Sequence, residues 1–185
     1  MKRNHSDPER LAAGLWPHRG QQRPAFALEP AAGQESVWDY PRPPVLVADR
    51  RLVEVRVGER SIARTNAAVR ILETASPPTF YLPRRDVRME LLQRAGGHSF
   101  CEWKGRASYF DVRGEAGPIE QAAWTYEEPF EAFAAIAEHV SFYPGRVACY
   151  VDGERVRPQA GGFYGGWVTH EIVGPYKGEP GTGGW

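Results

Sequence analysis

Glycine and proline interrupt this sequence so often that they limit, more than any other feature, what the chain can fold into. There are 20 glycines and 16 prolines among 185 residues, and neither residue is favoured inside helices or central strands. Six tryptophans and eight tyrosines accompany these breaks. The pattern is typical of a turn-rich, mainly β protein and disfavours a helical bundle. We therefore predict a small barrel or sandwich of antiparallel strands with one or two short helices.

The composition changes along the chain, and these changes predict four segments. Residues 1–35 are polar and have no helical or strand period, so a flexible arm is expected there. Residues 36–51 include W-D-Y-P-R-P-P and are predicted to be extended and to pack on the domain. Residues 52–157 are the predicted β domain. Residues 158–185, rich in glycine and aromatic residues, are predicted to fold back on it as a tail.

Short patterns predict the elements of the domain. Val53–Val57 alternates apolar and polar residues, as a half-buried strand does. Cys101–Val112 is predicted to form a hairpin. Asp86 is predicted to cap a short helix at Val87–Gln93, and a second helix is predicted at Phe130–Glu138. Further strands are predicted at Ser61–Arg64, Val69–Leu72, Thr79–Leu82, Ile119–Tyr126, Val140–Tyr143 and Val147–Val151.

The charges and cysteines limit the partners and the compartment of the protein. Lys and Arg together number 23, as do Asp and Glu, so the formal net charge is +0, whereas nucleic-acid-binding proteins usually carry a basic excess. No apolar run approaches the ~20 residues of a membrane span, and the charged N-terminus does not resemble a secretory signal. The two cysteines are Cys101 and Cys149. We expect a cytoplasmic protein with reduced thiols that binds neither nucleic acid nor membrane.

The run C-E-W-K-G-R-A-S-Y at residues 101–109 brings a thiol, an indole, an ammonium and a phenol close together. Lys104 beside Trp103 could be a base, a nucleophile or an anion anchor. The alternative is an exposed lysine whose stem covers the indole. Cys101 could be a nucleophile activated by Lys104 or His98, or a buried inert thiol. The run predicts a lined pocket in which Lys104 and Cys101 are candidate catalytic residues.

Acids and aromatic residues supply the other candidates. Asp86 could be a general base or orient a polar group of a ligand, or it could only cap a helix. Aromatic side chains at alternating strand positions could wall one cavity, since buried Tyr and Trp need polar partners; the alternative is ordinary core. The predicted ligand-binding residues are Glu73, Tyr81, Trp103, Tyr109, Trp124, Tyr126 and Tyr143.

The sequence carries no familiar cofactor motif. There is no C-x-x-C, the five histidines are dispersed, and no Walker, Rossmann or nucleophile-elbow motif occurs. No metal or other cofactor is therefore predicted. The W-K-G at residues 103–105 and the Y-K-G at residues 176–178 echo each other, although three residues are too few to indicate a duplication.

Four motifs occur in series: E-T-A-S-P-P-T-F-Y-L-P-R-R-D-V, C-E-W-K-G-R-A-S-Y-F-D-V, A-A-W-T-Y-E-E-P and V-S-F-Y-P-G-R-V. In this order they resemble domain-of-unknown-function family 427, sometimes labelled a nucleotidyltransferase family, over about residues 52–153. W-D-Y-P-R-P-P and G-G-F-Y-G-G-W-V-T also look like segments of bacterial members, including actinobacterial ones. The resemblance implies a β-tent fold, as in methionine sulfoxide reductase B and the thalidomide-binding domain of cereblon, without the paired zinc cysteines that many such folds carry. The site that it implies contains Tyr81, Asp86, Cys101, Lys104, Tyr109, Trp124 and Tyr126.

Three functions are open at this point. The leading hypothesis is a small-molecule-binding β domain, or an enzyme, for a small polar or anionic ligand held by Lys104 and oriented by Asp86. The second is a metal-dependent nucleotidyltransferase, against which the lack of a Gly-Ser with paired aspartates counts. The third is a non-catalytic protein-interaction module. The sequence leaves open whether the chain is an enzyme and whether it forms a homo-oligomer.

Overall fold

The fold is built almost wholly from short strands, and the computed structural model describes residues 17–183 and 185. Most pairings between neighbouring strands are antiparallel, and the exception is β1 with β15. In chain order the strands are β1 Glu35–Ser36, β2 Val45–Asp49, β3 Val53–Val57, β4 Arg60–Thr65, β5 Ala68–Glu73, β6 Ser76–Tyr81, β7 Leu92–Cys101, β8 Gly105–Arg113, β9 Pro118–Thr125, β10 Val140–Phe142, β11 Ala148–Val151, β12 Glu154–Arg155, β13 Arg157–Pro158, β14 Trp167–Val168 and β15 Ile172–Val173.

Three larger sheets make up the domain, and the predicted mainly β fold is confirmed. Their strand orders are β10-β9-β8-β7, β12-β11-β3-β4 and β2-β5-β6. Two small sheets, β1-β15 and β13-β14, tie the ends of the chain to the rest. The sheets stack in the manner of a sandwich and do not close into a barrel, so of the two predicted arrangements the sandwich is the correct one.

The main core lies between these sheets. Val53 and Val55 from β3, and Val112 from β8, are fully buried in it. Trp167 of β14 joins the same core, because its ring stacks on Phe80 at 4.8 Å between centroids. A second, smaller group of buried residues contains Tyr81, Trp103, Trp124 and Tyr126 and forms the floor of the site described below.

The prediction of one helix at Val87–Gln93 is wrong. The chain instead forms two short 3-10 helices, Arg84–Asp86 and Met89–Leu91, and then enters β7 at Leu92. Strand pairing explains the difference: Leu92 pairs with Val112 of β8, so the end of the predicted helix belongs to the long hairpin. Tertiary pairing overrides the helical preference of this run, as it often does for short segments.

Two more 3-10 helices, Val37–Asp39 and Glu131–Ile136, complete the helical content of the described residues. The second stands where a helix was predicted at Phe130–Glu138, but it is shorter. Its buried side chains are Phe133 and Ile136. Within residues 17–183 and 185, no helix has the length and apolar character needed to cross a membrane.

Both ends of the described chain lie against the domain. The first sixteen residues of the predicted arm lie outside the described residues. After them, Arg23 pairs with Asp39 at 2.7 Å. Trp38, within the predicted aromatic–proline segment, is fully buried and its indole N–H donates to the carbonyl of Pro175 in the tail at 3.1 Å.

Candidate functional site

A cavity of about 190 Å³ opens beside the hairpin of β7 and β8. Its walls come from β5, β6, β7, β8 and β9, from the turn between β7 and β8, and from the tail. The structure brings nine of the ten predicted site residues to this one cavity. They are Glu73, Tyr81, Cys101, Trp103, Lys104, Tyr109, Trp124, Tyr126 and Tyr143.

Lys104 sits in the turn of the hairpin, and Gly105 after it allows that turn. Gly105 has a φ of +90°, a conformation that residues with a Cβ avoid. A Cβ there would meet Phe130 at an ordinary 3.6 Å. The glycine is therefore needed for the backbone of the turn more than for close approach of a ligand.

The Lys104 ammonium points among aromatic rings and not toward a carboxylate. Its Nζ lies 5.8 Å from the centroid of the Tyr126 ring and 5.9 Å from that of Phe133, within cation–π range. No carboxylate of the described residues lies within 4.0 Å of it. Lys104 is thus a partly buried cation whose nearest favourable neighbours are π faces and hydroxyl or thiol groups.

The neighbours of Lys104 set its charge state. Burial opposes the ammonium, but the acidic groups of Tyr81, Cys101 and Glu73 outweigh burial and raise the pKa of Lys104 above its usual value. Lys104 is therefore protonated at neutral pH. That charge suits an anchor for an anion and does not suit a general base, which must be neutral to accept a proton.

Tyrosines and tryptophans form the aromatic wall. The Trp124 indole N–H donates to the Tyr81 hydroxyl at 3.2 Å, and the Trp124 ring lies 4.4 Å from that of Tyr143. The Tyr109 hydroxyl donates to Ser99 at 2.7 Å. Burial is the largest influence on Tyr81, Tyr126 and Tyr143, and it raises the pKa of each hydroxyl. The wall consists of apolar rings that are tilted or perpendicular to one another, and the tyrosines add polar hydroxyls to it.

Glu73 is already engaged by two partners. Arg42 pairs with its carboxylate at 2.8 Å, and the Trp103 indole N–H donates to the same oxygen at 3.2 Å. The Arg42 guanidinium also lies 5.3 Å from the Trp103 ring centroid. Glu73 therefore fixes Trp103 in the wall of the cavity while its own charge is balanced by Arg42.

The two cysteines differ in their surroundings. Cys101 is a free, partly accessible thiol that lines the cavity. Cys149 is fully buried in the main core, and burial raises the pKa of its thiol. Only Cys101 is placed to meet a ligand.

Asp86 does not lie in the cavity, and the helix that it was predicted to cap does not form. It ends the 3-10 helix Arg84–Asp86, which has no side-chain cap. Its carboxylate accepts a hydrogen bond from the Thr65 hydroxyl of β4 at 2.7 Å. This hydrogen bond holds the turn at Asp86 against β4.

Five residues of the tail also line the cavity, and sequence analysis did not select them: Gln159, Phe163, Tyr164, Gly165 and Lys177. The signal for Lys177 was present, since it is the lysine of the Y-K-G that echoes W-K-G. Gly178 of this motif has a φ of +97°, close to the +90° of Gly105. Both motifs thus end in a glycine with positive φ, while the glycine-rich composition gave no signal for the other four residues.

The site contains donors of several kinds but no cluster of metal ligands among the described residues. In the described part of the chain, no group of three His, Cys, Asp or Glu side chains is placed to hold a metal ion. The cavity combines two lysines, tyrosine hydroxyls and indole rings with Glu73 and Glu102, whose carboxylates lie near Arg42. Such groups can bind a small anion that carries a flat apolar part.

The chain was also compared with known proteins. Among curated proteins, none is similar enough to count as a match. The profile described as "Domain of unknown function (DUF427)" matches residues 45–153, which is more than half of the chain. That match contains β2 to β11 and hence Lys104 with the aromatic wall. The chain belongs to the DUF427 family.

Proposed function

We propose that this protein binds a small organic anion with a flat ring in the cavity beside Lys104. The observation that carries the proposal is the Lys104 ammonium, partly buried, protonated and without a carboxylate partner among the described residues. Glu73 and Cys101 favour this charge, but no carboxylate of the described residues pairs with it directly. An anionic ligand would provide such a direct partner.

The size of the cavity agrees with a ligand of about one ring. An engineered protein cavity of about 150 Å³ binds benzene, and this cavity measures about 190 Å³. Trp124 and Tyr143 would contact the ring, while Lys104 would hold the anionic group. Cys101 lies beside Lys104 and is the nucleophile candidate if the protein transforms its ligand.

Isothermal titration with benzoate and benzyl alcohol tests this proposal. The two probes share a ring and differ in charge. Lys104→Met keeps the length of the side chain and removes the ammonium. A hydrogen bond to a charged group is worth about 1.5–3 kcal/mol, so we expect Lys104→Met to weaken benzoate binding about tenfold or more and to leave benzyl alcohol binding unchanged. Equal benzoate affinity of both proteins would refute the role of Lys104.

The other two hypotheses have no specific observation in their favour. A metal-dependent nucleotidyltransferase needs a cluster of metal ligands, and none occurs among the described residues. An interaction module predicts a cavity filled by side chains. Both stay predictions from the sequence.

A further inference from the structure

Lysine is rare in this chain, and its placement is informative. Of the 23 basic residues only three are lysines. Lys2 lies outside the described residues, and the other two, Lys104 and Lys177, both line the cavity. The other residues of this basic group are arginines. A lysine ammonium is a compact point charge that binds an anion end-on, whereas a guanidinium is a wide planar fork.

Lys177 belongs to the tail, which lies beyond the residues matched by the family. Two hydrogen bonds hold the backbone of Lys177 in position. The Lys177 N–H donates to the carbonyl of Ala75 at 2.7 Å, and its carbonyl accepts from the buried amide of Gln159 at 2.7 Å. Gly165 packs so closely on the wall that a Cβ there would lie 2.1 Å from the Trp124 ring. The tail is thus fitted to the cavity that the family domain provides.

The charges around the cavity do not balance without a ligand. Its carboxylates lie near Arg42, which pairs with Glu73 at 2.8 Å and lies 3.6 Å from the largely exposed Glu102. The ammonium of Lys177 lies 5.4 Å from the Tyr164 ring centroid. Like Lys104, it has no carboxylate of the described residues within 4.0 Å. Arg42, Lys104 and Lys177 together exceed Glu73 and Glu102 by one positive charge, and neither ammonium makes a direct ion pair with a carboxylate of the described residues.

We propose that the site selects a dianionic ligand with a flat ring, and that Lys177 supplies the second positive charge. This inference rests on the anion-binding function proposed above and adds the charge of the ligand. Phosphomonoesters and dicarboxylates share the required chemistry. Because Lys177 comes from the tail, the tail determines the charge preference, while the family domain provides Lys104 and the aromatic wall.

Titration of the full chain with phenyl phosphate, phthalate and benzoate tests the inference. The three probes carry one ring each; above about pH 7 phenyl phosphate is mostly a dianion, since a phosphate monoester has its second pKa near 6. We expect the native protein to bind at least one of the two dianions about tenfold or more tightly than benzoate. Which dianion binds more tightly separates phosphomonoesters from dicarboxylates.

Lys177→Met should abolish that preference, so that the affinities of the variant for the dianion and for benzoate lie within about threefold of each other. Lys177→Gln provides the same comparison if the methionine variant folds poorly, and melting temperatures without ligand check both. A preference for dianions that persists in the variants would overturn the inference while leaving the role of Lys104 intact. If the native protein binds none of the three ring anions, the proposed anion-binding function itself fails.

Discussion

At the scale of single residues, charge state distinguishes the roles that the sequence left open for Lys104. Desolvation alone would lower its pKa and favour a base. The acidic neighbours Tyr81, Cys101 and Glu73 have the larger combined effect and raise the pKa instead. This balance depends on which groups meet in space, so the run W-K-G could indicate a pocket lysine but could not indicate its protonation state.

Ligand affinity should therefore stay constant into the alkaline range. The pKa of Lys104 is raised above the value of 10.5 for a free lysine, so the ammonium contributes fully below pH 10.5 and is lost only as the pH rises through its higher folded value. Benzoate affinity should change less than about twofold between about pH 7 and about pH 9.5, since the carboxylate is ionised throughout. A loss of benzoate affinity with a midpoint near pH 8 would instead show that the pKa of Lys104 is lowered, as a general base requires.

The two thiols give a second residue-scale prediction. Iodoacetamide should alkylate Cys101 in the native protein and leave Cys149 unmodified, because Cys149 is fully buried and burial raises its thiol pKa. Peptide mass spectrometry after brief labelling measures both sites. In urea both should react. If Cys149 in the native protein reacts as fast as Cys101, the burial of Cys149 is contradicted.

At the scale of elements, the sequence predicted strands with clear alternation and predicted junctions poorly. Val53–Val57 is confirmed with its bounds. The hairpin at Cys101–Val112 is confirmed, although its first strand starts as early as Leu92. The prediction of a helix at Val87–Gln93 is wrong because Leu92, near the end of this run, pairs with Val112 of the distant strand β8. Such pairings are not encoded in the periodicity of either segment.

The tail should be sensitive to a single methyl group where it meets the site. Gly165→Ala would place a Cβ 2.1 Å from Trp124, so we expect the free energy of unfolding to fall by about 1–3 kcal/mol through overpacking. Urea denaturation measures the change. Gly96→Ala is the matched control, since nothing lies within 4 Å of its added Cβ. A Gly165→Ala variant as stable as Gly96→Ala would contradict the close fit.

Trp167 anchors the same tail to the main core. It is fully buried, stacks on Phe80, and its indole N–H donates to the carbonyl of Phe142 at 3.0 Å. Trp167→Ala should lower the free energy of unfolding by about 3–5 kcal/mol. Trp167→Phe keeps an aromatic ring but loses the N–H and part of the buried indole, so it should cost less than Trp167→Ala. Equal losses in the two variants would show that the stacked ring contributes nothing.

At the scale of the whole molecule, the family domain and the tail together make the site. Nine of the ten candidate residues line one cavity, where aromatic residues at alternating positions meet the turn of W-K-G, and their roles stay predictions. Asp86 does not line the cavity and lies against Thr65 of β4. The contribution of the tail could not be predicted, because glycine-rich segments carry no periodicity that indicates where they pack.

The scarcity of lysine allows one direct test of the central claim. Protein labelled with ¹³C-lysine has only three lysine side chains to resolve, and Lys104→Arg assigns the signal of Lys104. Saturating phenyl phosphate should shift the ¹³Cε resonance of Lys104, because its ammonium would pair with the anion in the cavity. A Lys104 resonance that does not move at saturation would contradict the account.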